Sequence, residues 1–432
     1  MKSNQSKLVN SPDWFDSGLK NIWLPYTQMH TTPEPLPVSH TEGVHIHLSD
    51  GRALIDGIAS WWTACHGYNH PHIRHALEAQ LLKMPHIMFG GLVHEGALQL
   101  AQRLTSLLPE SLQRVFFSES GSVSVEVAIK MSIQYWANKG LPKRNKIIAF
   151  FGGYHGDTCG AMSVCDPDEG MHKIFHGAIP EQHIIKLPVT DEDFLNFSKF
   201  VEIHAEECAA IIVEPLIQGA GGMVIHDMEV LQRLRKVCDT YGMLLIFDEI
   251  FTGFGRTGNL FAFQSADVTP DIITISKALT GGTIPLAATI ASVDIYEAFL
   301  SDDPEAALMH GPTFMANPLS CAAANASIDL FESEPRLDQV KRIGDQMRAE
   351  LLPCKTIPGV ADVRVLGGVG VVQLSGDINL GWLRDKFVEE GVWVRPFRDI
   401  VYLTPAFTIS DIDLSSLTSS INRVIKIWSN VR

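Results

Sequence analysis

The sequence is short of basic charge. Its 34 lysines and arginines are outnumbered by 49 acidic residues, a formal net charge of −15 over 432 residues. No broad electropositive face is expected to neutralise nucleic-acid phosphates or anionic lipid. Cysteine is also scarce: seven residues, at 65, 159, 165, 208, 238, 321 and 354, with no C-x-x-C pair. An odd, scattered set in so long a chain argues against a disulfide framework or a structural zinc module. Long apolar runs are missing as well. The most apolar window, 208–225, is interrupted by Glu214, Pro215 and Gln218, and nothing approaches the roughly 20 apolar residues of a membrane span. The first fourteen residues have no apolar stretch of the secretory-leader kind. With no Gly-Lys pair anywhere, the P-loop of nucleotide hydrolases is excluded. What remains is small-molecule chemistry in a reduced, cytoplasmic setting, without nucleic-acid or membrane partners.

What the chain does have is enough length for two or three cores and an ordinary globular composition, 46% hydrophobic and 19% charged. Seven short apolar runs punctuate its middle: 114–118, 146–151, 183–187, 209–214, 243–248, 272–276 and 286–291. They alternate with helical patterns, and several end in a polar residue followed by glycine. This predicts an α/β fold whose mostly parallel seven-stranded sheet is buried on both faces. The stretch from 336 onward alternates helix with strands expected at 362–366, 369–374 and 392–396, and reads as a smaller α+β domain. Three parts are expected: a loop-rich N-terminal segment 1–70, a large domain 71–318 and a small domain 319–432. In such sheets ligands sit beyond the carboxyl ends of the strands, so the chemistry is sought where the runs close.

One run closes on Asp248-Glu249, and Gly253, Gly255 and Gly258 follow it. These glycines spell G-x-G-x-x-G, but a dinucleotide loop puts its acid about 20 residues after the glycines and opens a helix; here the acid comes first and no helical pattern follows. Another run closes on Ser276-Lys277, before Gly281-Gly282. A lysine held at a strand end in a partly dry site loses its proton more readily and becomes a nucleophile able to form a Schiff base. A third closes on Ser118, and Ser120-Gly121-Ser122 then opens a helix whose N-terminal N–H groups can hold an anion. A lysine for the aldehyde, a carboxylate for the pyridine nitrogen and a phosphate cradle are the three needs of pyridoxal phosphate (PLP). Tyr154, after Gly152-Gly153, is placed to stack on a ring. Histidines 66, 70, 72 and 75 are separated by Pro71 into pairs that share no helical face, and no metal is expected.

With these residues in place, the stretches Phe247–Gly258, Ser276–Gly282, Trp23–Thr27, Trp61-Trp62 and His310–Cys321 resemble the class III, fold-type I PLP aminotransferases. The resemblance runs from about residue 20 to past 405. It implies a large PLP-binding domain, a homodimer, and transamination with Lys277 as Schiff-base lysine, Asp248 on the pyridine nitrogen and Tyr26 beside them. Gly121 and Ser122 would hold the phosphate, with Pro312 and Thr313 reaching across the dimer, and Tyr154 would pack on the cofactor. Tyr26, Trp61, Tyr154, Lys277, Gly311, Arg395, Phe397 and Tyr402 would make the substrate pocket, with Arg395 as the carboxylate anchor. The members it most resembles aminate 8-amino-7-oxononanoate in biotin biosynthesis, with S-adenosylmethionine as amino donor. An ω-aminotransferase of ornithine, 4-aminobutyrate or a diamine is the alternative. Phe251 departs from the family pattern, in which a smaller or more polar residue is expected after Asp-Glu-Ile.

Overall fold

The computed structural model describes residues 12–168, 173–175 and 177–431; most of the stretch read for an export leader lies outside them. The seven expected runs all form strands, and all belong to one sheet. Its order is Leu112–Ser118, Ala287–Ser292, Ile272–Ile275, Leu244–Asp248, Cys208–Val213, Lys146–Phe150 and His183–Ile185. Ala287–Ser292 runs antiparallel to both its neighbours, and every other pairing is parallel. Six carboxyl ends therefore point the same way. The central strands are buried along their whole length, which is why they read as near-continuous apolar runs rather than alternating ones.

Helices cover both faces. Gly121–Asn138 packs Val125, Ile129 and Tyr135 against one face with Ile147, Ile212 and Ile246. Met228–Tyr241 buries Leu231, Leu234 and Cys238 on the other, with Phe247 and Ile273. The latter helix stops at Gly242, whose φ of +63° is the left-handed cap that glycine adopts without steric cost. Helix Pro318–Ser333 also feeds this second core, through Cys321, Ala324 and Ile328.

A separate core in the C-terminal part gathers Ile343, Met347, Leu403, Leu417 and Trp428. Its sheet is Val360–Leu366, Val369–Leu374 and Ile400–Leu403, antiparallel throughout. The last strand had not been expected. The strand expected at 392–396 is cut to Val392–Trp393 and pairs instead with Ala53–Asp56 of the N-terminal segment, completing a four-stranded sheet with Val38–Glu42 and His45–Leu48. Pro396 has no N–H to donate, and the chain reverses between Phe397 and Ile400, which exchange two backbone hydrogen bonds around Arg398 at φ +50°. Arg395 thus lies past the strand, not at its end. Segment 12–70, expected to be mostly loop, carries three short strands. Among the described residues no helix is long and apolar enough to cross a membrane.

Candidate active site

A cavity of about 570 Å³ opens where the strand ends converge on the C-terminal part, and its wall includes Lys277, Asp248, Glu214, Gly121, Ser122 and Tyr154. Lys277 is the second residue after the strand Ile272–Ile275 and takes φ +46°, a left-handed conformation that a non-glycine residue adopts at a cost of roughly 1–3 kcal/mol. Gly282, at φ +74°, lets this turn press on its neighbour: a Cβ there would meet backbone atoms of Thr63 and Ala64 at 2.8 Å. Lys277 Nζ lies 4.5 Å from the centre of the Trp62 ring. Burial pushes the ammonium down to about 8, against the pull of Asp248 and Glu214, so neutral amine is available near neutrality.

Asp248 is 3% exposed. Its Oδ2 lies 2.7 Å from Nδ1 of buried His155, and its Oδ1 accepts from Thr274 Oγ1 at 3.3 Å and from the Ile250 N–H at 3.1 Å. A carboxylate so held is fixed in direction, which a ring nitrogen would need. Glu214, closing the neighbouring strand, accepts from the N–H groups of Tyr154 and Gly219. Burial raises it to about 7, with Asp248 adding to the rise and His155 opposing it.

The helix Gly121–Asn138 begins beside them, capped by Ser120, which accepts from the Val123 N–H. Ser122 Oγ accepts from the Asp157 N–H at 3.1 Å. Gly156 touches the same hydroxyl: a Cβ on it would lie 2.2 Å from Ser122 Oγ, and its φ is +129°, so only glycine fits. Nearby, Ser118 Oγ is buried without a partner among the described residues. A dry amine, an oriented carboxylate and a glycine-lined helix N-terminus fit PLP in all three of its needs.

The aromatic wall rests on an unusual turn. Ala59, Ser60, Trp61 and Trp62 all have φ between +45° and +74°, one turn of left-handed helix built from non-glycine residues. Asp56 holds it: its carboxylate accepts from the N–H groups of Ile58 and Ser60 at 2.8 Å and from Tyr68 OH at 2.6 Å. The turn throws Trp61 toward the opening and Trp62 inward. Trp62 packs on Phe251 at 4.3 Å and on Tyr402 at 6.3 Å; Phe397 meets Tyr402 edge-on at 5.4 Å. Arg395 lies over Trp61, 4.3 Å from the ring centre. Tyr26, half-exposed, meets Trp61 edge-on, donates to Asp157 Oδ2 and shares a 3.1 Å contact with Tyr154 OH. Burial and Asp157 raise the Tyr26 phenol to about 12, so it is a neutral donor.

The structure therefore brings Tyr26, Trp61, Gly121, Ser122, Tyr154, Asp248, Lys277, Arg395, Phe397 and Tyr402 around one cavity. It does not bring Gly311, Pro312 and Thr313 there: they sit on a surface loop, with Gly311 and Thr313 exposed. His155, Glu214, Trp62 and Asp157 were not singled out as site residues, although each stands in or beside a motif that was. Arg384, in the helix Leu380–Glu389, also lines the wall, and no sequence signal marks it. Of the four histidines weighed as ligands, His66 accepts from Arg336 Nε and His72 pairs with Asp329.

The family model for class-III aminotransferases matches residues 26–425. The adenosylmethionine-8-amino-7-oxononanoate aminotransferase of Buchnera aphidicola from Acyrthosiphon pisum is 44% identical, over 94% of this chain and 96% of its own. A crystal structure of the enzyme so named from Methanocaldococcus jannaschii superposes with a TM-score of 0.90 at 32% identity, covering 94% of this chain and 97% of that one. An amine transaminase from an uncultivated Pseudomonas species, in a PLP-bound form, reaches 0.88 at 29% identity, with 94% and 98% covered.

Proposed function

The chain belongs to the class-III aminotransferases, and we propose that within this family it transfers an amino group from S-adenosylmethionine to 8-amino-7-oxononanoate, the biotin-pathway step its relatives are named for. It is a PLP-dependent aminotransferase. When bound, the cofactor supplies an electron sink for a carbanion beside the transferred nitrogen. The chain's own groups do the rest. Lys277 Nζ would hold the cofactor and, when free, would be the base that moves a proton at the reacting carbons. Asp248, oriented by His155 and Thr274, would keep the ring nitrogen protonated. The N–H groups at Gly121 and Ser122 would hold the phosphate. Trp62, Phe251 and Tyr402 close the inner wall to water, while Tyr26 and Tyr154 orient the substrate.

The observation that carries the substrate assignment is Arg395, stacked over Trp61 in the wall that also holds Lys277, and without a carboxylate partner among the described residues. An alkyl chain ending in a carboxylate lies along Trp61 and ends on the guanidinium. A diamine would put a cation there, which disfavours that reading. Holoenzyme mixed with S-adenosylmethionine should lose its visible cofactor absorbance and regain it on addition of the keto acid. Failure with this donor, alongside success with ornithine or 4-aminobutyrate, would reverse the choice.

Arg395→Ala should lower kcat/KM for 8-amino-7-oxononanoate by roughly 10- to 200-fold, the worth of a charge-assisted bidentate contact of about 1.5–3 kcal/mol. The methyl ester should lose far less, and equal losses would move the anchor elsewhere. A cytoplasmic homodimer completes the proposal, with Pro312 and Thr313 of each chain reaching its partner's phosphate site. Co-refolding of inactive Lys277→Ala with an inactive Thr313→Ala chain should restore partial activity. No recovery in proven heterodimers would count against shared sites.

A further inference from the structure

We propose that Arg384 joins Arg395 in a two-guanidinium clamp on the acceptor's carboxylate, and so sets this chain's preference for carboxylate-ended over neutral-ended acceptors. The proposal rests on the function proposed above. Arg384 stands on the helix Leu380–Glu389, between Leu383, which is buried in the C-terminal core, and the cavity it lines. Its Nε is shielded from solvent and has no hydrogen-bond partner, and neither Arg384 nor Arg395 has an acid within salt-bridge reach among the described residues.

Arg235, Arg256 and Arg336 each also have one buried nitrogen without a partner, but these and the other well-buried arginines have acids or carbonyls on the rest of the guanidinium. Arg103 is paired with Asp329 and Glu332, Arg235 with Asp239 and Asp271, Arg336 with Glu334, and Arg364 with Asp362. Arg256, fully buried, gives its Nη1 to two backbone carbonyls. The acids in the cavity wall are engaged elsewhere: Asp248 with His155, Glu214 with two backbone N–H groups, and Asp166 with the Gly152 N–H. Burial and, after it, the charge of Arg384 hold Arg395 below its usual range, so the two cations repel one another. Two guanidinium groups without acid partners in one cavity wall are costly unless an anion joins them. A carboxylate has about four lone-pair sites and can accept from both forks at once.

The test uses holoenzyme carrying Arg384→Gln or Arg384→Lys. Arg384→Gln should lower kcat/KM for 8-amino-7-oxononanoate about 10- to 150-fold, the size expected for one charged hydrogen bond. The loss should fall on KM, with kcat and the methyl ester little changed. Arg384→Lys should recover part of it. Combined with Arg395→Ala, the effects should be less than additive, since the two groups serve one anion. Tm should hold or rise as the repulsion is removed. A fall in Tm with equal losses for acid and ester would make Arg384 a packing residue, and unchanged kinetics would also overturn the clamp.

Titration of tryptophan fluorescence with nonanoate and with 1-nonanol separates this proposal from the functional one. Weaker nonanoate binding in Arg384→Gln, with nonanol unaffected, upholds the clamp even if the parent enzyme ignores the keto acid, in which case only the acceptor assignment fails. Equal nonanoate affinity in parent and variant overturns the clamp whatever the acceptor.

Discussion

Lys277→Ala should leave a folded protein that turns over several orders of magnitude more slowly than the parent. Two functions are lost together, the nucleophile that holds the cofactor's aldehyde and the base that carries the proton, and effects of one group serving two steps compound. Folding should not suffer. The ammonium, in a partly buried site, is pushed from 10.5 down to about 8, so in the empty protein it is a liability that sets in below about 10.5 and is full below about 8. Alanine at φ +46° keeps the strain of this position without adding to it. The expected pattern is therefore a Tm at or above the parent's, no covalently held cofactor after denaturation, and turnover near background. Turnover within tenfold of the parent would remove Lys277 from the chemistry.

That prediction could be written from the sequence because the residues closing the strands are local facts. Strands buried on both faces, such as Cys208–Val213 and Ile272–Ile275, are almost wholly apolar, and in these two the first polar residue after the run, Glu214 or Ser276, marks its exit to the cavity. The C-terminal part was less legible. Val-Trp-Val-Arg-Pro has a strand's composition, but its length is set by a partner about 340 positions earlier, Ala53–Asp56, and periodicity carries no information about partners. Ile400–Leu403 was passed over for a related reason: four apolar residues fit a strand or a loop plug equally well until Val369–Leu374 is placed beside them.

The site was legible at the level of residue type and opaque at the level of support. His155 and Asp248 are 93 positions apart and meet at 2.7 Å. The left-handed turn at Ala59–Trp62 runs against every propensity of its residues and exists because Asp56 pins it from behind. Phe251 marked a departure from the family pattern, and the fold explains how it is tolerated. It is 6% exposed and packed on Trp62, and Gly219 leaves it room, since a Cβ there would lie 2.9 Å from the Phe251 ring. Arg384 shows the opposite limit: a lone arginine on a helix reads as a solvated charge, and only the cavity reveals otherwise.

Asp248→Asn should keep the cofactor and lose about a hundredfold or more in kcat, as a contact worth roughly 3 kcal/mol in the transition state implies. The substitution preserves shape, so the contacts of Oδ1 with Thr274 and the Ile250 N–H can persist and the ring can still be seated. What changes is charge. A carboxylate in a site this dry favours a protonated pyridine nitrogen, whereas an amide can only donate to it or accept weakly, and the ring then withdraws electrons poorly. His155 sharpens the test, because its Nδ1 sits on the same carboxylate. If Asp248 worked mainly by anchoring His155, His155→Ala should match Asp248→Asn in kcat. If Asp248 works through the ring nitrogen, His155→Ala should cost much less, and the bound cofactor's absorbance should change in Asp248→Asn alone. A kcat within about threefold of the parent in Asp248→Asn would mean that the ring nitrogen is protonated by something else, and Glu214, raised to about 7 by burial beside Asp248, would be the next group to substitute.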